Sequence, residues 1–136
     1  MASKNSDTTP SSPEPPRPRK ILVVDDSEDG AEMLATLLRF DGHEVLTTSS
    51  GSLAVETVAA TRPDVVLLDI GLPDMDGYEV ARRMRTALGE STPSLVALTG
   101  YGREEDRERT RAAGFAAHLV KPVGFEDLRQ LIAGLS

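Results

Sequence analysis

Short apolar runs and helix-spaced segments alternate along this chain, and that alternation restricts the fold more than any other feature. The runs are ILVV (21–24), VVLL (65–68), LVAL (95–98) and the shorter HLV (118–120). HEVLTT (43–48) mixes apolar and polar residues, as a strand nearer a sheet edge does. Between the runs, apolar residues recur at helical spacing: Ala31, Leu34, Leu37 and Leu38; Leu53, Val55, Val58 and Ala59; Tyr78, Val80, Ala81, Met84 and Leu88. Leu128, Leu131, Ile132 and Leu135 mark a last helix. Asp41-Gly42, Arg62-Pro63, Gly89, Pro93, Gly114 and Pro122 separate the segments. A strand–helix unit repeated five times gives a parallel sheet covered by helices on both faces.

The segment near 103–113, REEDRERTRAA, is predicted as the fourth helix although it has hardly any apolar face. Its acids come first and its arginines last, which suits the helix macrodipole. Glu105 and Arg109 are spaced for an i, i+4 pair, which contributes only tenths of a kcal/mol. This helix is therefore expected to be loosely held, with Gly100 and Gly102 in the loop that leads into it.

At 136 residues the chain is one domain with enough surface to bury a core. Residues 1–19 hold five prolines and almost no apolar side chain, and read as a disordered tail or linker before a domain at 20–136. The absence of cysteine excludes disulfides and thiolate metal sites. No apolar run is long enough to span a bilayer or to serve as a secretory signal, so no membrane role and a cytoplasmic location are expected. The net charge is −7, and the first twenty residues are net basic, so the remainder is more acidic still. That argues against nucleic-acid binding and allows a cation or a basic partner.

What stands at the ends of the apolar runs carries the chemistry. The first predicted strand ends in Asp25-Asp26, the third in Asp69, the fourth in Thr99 and the fifth in Lys121. In an open parallel sheet the carboxyl ends of the strands share one edge, and ligands bind there. Three carboxylates brought together repel unless a cation intervenes. Oxygen ligands without Cys or His favour a hard ion, and Mg²⁺ suits a few carboxylates with waters and a phosphate. An ammonium and a hydroxyl beside a carboxylate nucleophile complete a phosphoryl-transfer site. Singly, each residue has a plainer role: Asp26 or Ser27 as a helix cap, Asp69 as a turn residue, Thr99 as a strand-end hydroxyl. Lys121 is harder to explain so, being the only lysine after Lys20. Glu28, Asp29, Asp74 and Asp76 read as loop or helix-start acids.

VVDDSED, LLDIGLPDMDGYE, ALTGYG and HLVKPV, in this order, resemble the receiver domain of bacterial two-component response regulators, over residues 20–134. The resemblance implies a flavodoxin-like (βα)5 α/β fold with strand order 2-1-3-4-5, the order of this family's chemotaxis regulator. It implies that Asp69 is the phosphoacceptor, and that Asp26, Asp69 and the Gly71 carbonyl ligate Mg²⁺, with Asp25 acting mainly through water. Thr99 and Lys121 then contact the phosphoryl group, and Lys121-Pro122 is a cis bond. The implied partners are a histidine kinase or histidine phosphotransfer protein as donor and a downstream protein as target. The implied response is a change in the fourth helix, the last strand and the last helix. Such a domain catalyses its own phosphorylation and dephosphorylation without being a conventional enzyme.

The sequence departs from the family pattern in places. His118 stands where Tyr or Phe is common, which leaves three readings: an altered aromatic switch coupled to Thr99, a pH-responsive one, or a partly exposed strand residue. Gly71 and Tyr101 occupy positions that tune phosphoryl lifetime. Gly124 replaces a common acidic cap. The HLVKPV style is similar to receivers of hybrid histidine kinases and of single-domain regulators. Donor docking in this family points to the first helix near Gly30, Met33 and Leu37, where Met33 lies off the apolar stripe. A non-phosphorylated interaction module would not need the five-residue site. A hydrolase with an aspartate nucleophile would place a second acid two residues after it, and Asp69-Ile70-Gly71 does not. A mononucleotide binder would need a Gly-rich loop where DDSEDG stands.

Overall fold

The computed structural model describes residues 18–100 and 104–135. The elements run β1 (Lys20–Val24), α1 (Glu28–Phe40), β2 (Glu44–Thr48), α2 (Gly51–Thr61), β3 (Val65–Asp69), α3 (Gly77–Leu88), a 3-10 turn (Gly89–Ser91), β4 (Ser94–Thr99), α4 (Glu104–Ala112), β5 (Ala117–Val120) and α5 (Phe125–Gly134). All strand pairs are parallel, in the expected order β2-β1-β3-β4-β5. The polar-mixed strand, β2, lies at an edge.

The continuous apolar runs follow from burial on both faces. Side chains of a strand alternate between faces. Ile21, Val23, Val65, Leu67, Val96 and Leu98 accordingly pack with Leu34, Leu38, Leu128 and Ile132 from α1 and α5. Their neighbours Leu22, Val24, Val66, Leu68, Leu95 and Ala97 pack with Ala54, Val58, Val80 and Met84 from α2 and α3.

Caps set the helix starts. The Ser27 hydroxyl accepts from Gly30 N, Ser50 caps α2 at Leu53 N, and Asp76 caps α3 at Tyr78 N. The choice between Asp26 and Ser27 as cap of α1 is thus resolved for Ser27. Helix α5 starts at Gly124 with no side-chain cap. Gly42, just past α1, adopts φ +93°, a turn conformation that a side chain resists.

The inward face of α2 corrects the sequence reading. Leu53 is 53% exposed and Ala59 is exposed, whereas Gly51, Ala54 and Val58 are buried. This helix is apolar almost all round, so periodicity alone does not choose its inward face. Close approach to α3 chooses it: a Cβ on Gly51 would lie 2.8 Å from Val80 Cγ2. In α1, Ala35 is buried while Leu37 sits half-buried at the flank of the stripe.

Among the described side chains of α4, only Thr110 is buried. Arg109 lies over the Tyr78 ring at 4.1 Å, and Tyr78 meets Phe115 edge-on at 6.1 Å. The Glu105 side chain, and Tyr101 and Gly102, lie outside the described residues. Among the described residues no helix is long and apolar enough to cross a membrane.

Candidate functional site

Parallel pairing brings the ends of β1, β3, β4 and β5 to one edge. Asp69 is opposite Leu98, and Thr99 is opposite Val120, so Asp69, Thr99 and Lys121 follow one another across the sheet. Asp25 and Asp69 are buried and Asp26 is exposed; one oxygen from each lies within 4.8 Å of the others.

The two buried aspartates are held alike. Asp25 Oδ1 accepts from Ser27 N at 3.0 Å, and Asp69 Oδ1 accepts from Gly71 N at 2.9 Å. In each case the second oxygen faces Lys121 Nζ, at 2.9 Å for Asp25 and 3.1 Å for Asp69. Burial alone would lower the Lys121 pKa, but hydrogen bonds and charge from Asp25 and Asp69 outweigh it, and the net shift is upward. The backbone carries Lys121 to this place: its N–H donates to the Thr99 carbonyl at 2.7 Å, and the Lys121-Pro122 peptide is cis. Thr99 is buried at the same edge.

One ammonium stands against three carboxylates, so the cluster keeps an excess of negative charge. The donor set is oxygen only and fits a hard divalent ion such as Mg²⁺. Asp26 has both exposure and freedom from capping.

The loop after Asp69 holds residues whose role sequence reasoning did not find. Asp74 accepts from Gly51 N at 3.1 Å, Ser50 Oγ at 3.2 Å and Ser52 N at 3.4 Å, tying the loop to the start of α2. These bonds, that from Gly51 N first, hold the Asp74 carboxyl below its usual range. Gly77 N donates to the Ile70 carbonyl at 3.0 Å. Both contacts are tertiary, so no local pattern announces them.

His118 is half-buried on β5, beside a cavity of about 260 Å³ that Arg107, Arg111 and Phe115 also line. Burial first, then the Arg107 charge, lowers its pKa. Gly30 and Met33 line a cavity of about 350 Å³ with Lys121, Pro122 and Val123, reaching Asp25. Leu37 is not part of that lining.

The family model of the response regulator receiver domain matches residues 21–133. The chain belongs to that family. It is 39% identical over 111 residues to the response regulator MprA of Mycolicibacterium vanbaalenii, covering 82% of this chain but only 47% of MprA, so it spans about half the length of that relative. It is 29% identical over 113 residues to sporulation initiation phosphotransferase F of Bacillus subtilis, covering 83% of this chain and 90% of that one. The solved structure of chemotaxis protein CheY4 of Vibrio cholerae superposes with TM-score 0.79 at 30% identity, over 85% of this chain and 96% of that one. The flavodoxin-like receiver fold expected from the sequence is the fold observed. Receiver domains serve two-component signalling and are not conventional enzymes.

Proposed function

We propose that residues 20–136 form a phosphoacceptor unit, with 1–19 as its tail or linker, that takes a phosphoryl group from a phosphohistidine onto Asp69. The observation that carries this reading is the pairing of Lys121 with both Asp25 and Asp69 at the strand-end edge. An Asp69 carboxylate oxygen attacks phosphorus, the P–N bond breaks, and the departing imidazole keeps the electron pair and takes up a proton. Asp25, Asp26, Asp69 and the Gly71 carbonyl would hold Mg²⁺, which supplies charge neutralisation at the phosphoryl oxygens. Lys121 then exchanges its Asp69 contact for the phosphoryl group, and the Thr99 hydroxyl hydrogen-bonds it. The Gly71 N–H keeps Asp69 in place meanwhile.

The response travels from Thr99 to α4, whose described side chains anchor it mainly through Thr110 and the Arg109–Tyr78 contact. An element so lightly held suits a two-state change of the α4-β5-α5 face, which a downstream protein reads. His118 belongs to that face. Gly30, Met33 and Leu37 mark the side from which the kinase or phosphotransfer protein approaches.

Beryllofluoride with Mg²⁺, a phosphoryl mimic, tests the site by NMR. Saturable shifts at Asp69, Thr99 and Lys121 that spread to α4, absent in Asp69→Asn, are expected. A folded parent chain that shows no such shifts would leave an interaction module as the better reading.

A further inference from the structure

Helix α1 carries apolar residues on two opposite sides. One side, Ala31, Leu34, Ala35 and Leu38, is buried against the sheet. On the other, Met33 is 62% exposed and Phe40 is 83% exposed. With half-buried Leu37 they stand at i, i+4 and i+7, within an arc of about 60° at 3.6 residues per turn. Exposed Thr36 borders this ridge and adds no charge to it. A helix with a second apolar ridge is built for a partner, since scattered apolar residues need no explanation but an aligned set does. Phe40 is the telling residue: it lies two turns beyond Met33, away from Asp25 and Lys121.

The flank of this ridge carries Glu32 and Arg39, in contact at 3.4 Å with side chains 64% and 48% exposed. Glu32 and Arg39 are seven residues apart, and so are Met33 and Phe40. A two-fold axis across the middle of α1 exchanges the ends of two antiparallel copies. It sets Met33 of one copy near Phe40 of the other, and Glu32 of one copy near Arg39 of the other, on the same flank. The two pairs centre on axes one residue apart, so a single axis midway leaves each pair about 1.5 Å out of level, which side chains absorb. Ridge and charges are therefore complementary to themselves, as an isologous interface requires.

We propose that α1 is a self-association surface, on which a second copy of this chain packs antiparallel through Met33, Leu37 and Phe40, with Glu32 and Arg39 paired across the axis. Met33 also lies where a phosphodonor approaches, so self-association and donor docking exclude one another. The interface itself makes no use of Asp69.

The test is mass in solution by sedimentation equilibrium, from micromolar into millimolar chain. The parent is expected to shift from monomer to dimer with concentration, and Asp69→Asn to do the same, which separates this proposal from the phosphoacceptor reading. Phe40→Glu, checked for folding by circular dichroism, is expected to weaken association by at least roughly tenfold. Glu32→Arg alone and Arg39→Glu alone are expected to weaken it too, and the two single variants, mixed, to form a heterodimer tighter than either homodimer. A parent that stays monomeric throughout overturns the proposal. So does a dimer that Phe40→Glu leaves intact, or a mixture of the two charge variants that associates no better than each alone.

Discussion

Replacing Gly77 with alanine sets two physical effects against each other, and the structure decides between them. In a helix, Gly→Ala stabilises by roughly 0.5–1 kcal/mol through reduced chain entropy. Gly77 opens α3 and is buried against Ile70, the residue that follows Asp69. A Cβ there would lie 2.7 Å from Ile70 Cα and 2.8 Å from the Asp69 carbonyl oxygen. Ordinary contacts between carbon atoms are about 3.5–4.0 Å, so close to 1 Å must be found. Both obstacles are main chain, and the bond from Gly77 N to the Ile70 carbonyl holds them together. Forcing extra atoms into a packed site costs typically 1–3 kcal/mol. The net expectation is a loss of about 1–2 kcal/mol in urea unfolding followed by circular dichroism. The strain falls on the backbone that aims Asp69, so its phosphorylation should slow as well. Gly134→Ala is the control: it lies at the end of α5 with nothing within 4 Å of the added Cβ, and should be neutral or mildly stabilising. A Gly77→Ala chain at least as stable as the parent, at an unchanged denaturant slope, would mean that the main chain at Asp69 and Ile70 yields to the added methyl without cost.

Other perturbations follow the same logic. Lys121→Gln removes the cation between two buried carboxylates; the metal-free protein should lose about 1–3 kcal/mol, discounted because Lys121 is partly exposed, and Mg²⁺ should restore more stability to the variant than to the parent, as denaturation with and without the ion will show. His43, buried, accepts the Arg19 N–H through Nδ1, and burial chiefly lowers its pKa, with Arg19 assisting and Asp41 opposing. Its neutral form is therefore the folded form: this contribution is complete above the unfolded value of about 6.5 and is lost as pH falls through and below it. Unfolding free energies between pH 5 and 8, compared with His43→Asn, should show that slope in the parent and a weaker one in the variant. Asp74→Ala should speed amide hydrogen exchange at Gly51 and Ser52, because their acceptor is gone; unchanged exchange there would mean the loop is held by other contacts.

The strands were legible in the sequence because a parallel strand covered on both faces is written as an unbroken apolar run. Asp25, Asp69, Thr99 and Lys121 were legible for a related reason: each is the first polar residue, or lies just beyond the end, of such a run. The inward face of α2 was not, since Leu53 and Ala54 are both apolar and only the approach of Val80 decides which turns inward. Asp74 and Gly77 were missed because their partners, Gly51 and Ile70, are reached only through the tertiary fold. The exposure of Phe40 is not legible in the sequence, because a large apolar residue at a helix end reads equally well as core.

The chemistry proposed for Asp69 is open to direct measurement. Intact mass after incubation with a small acyl phosphate and Mg²⁺, beside Asp69→Asn and a chelated sample, measures it. One phosphoryl group added to the parent alone, lost with chelator, is the predicted result. A folded parent that gains nothing from the small donor or from a phosphohistidine protein, or an Asp69→Asn chain that gains the same mass, would contradict it.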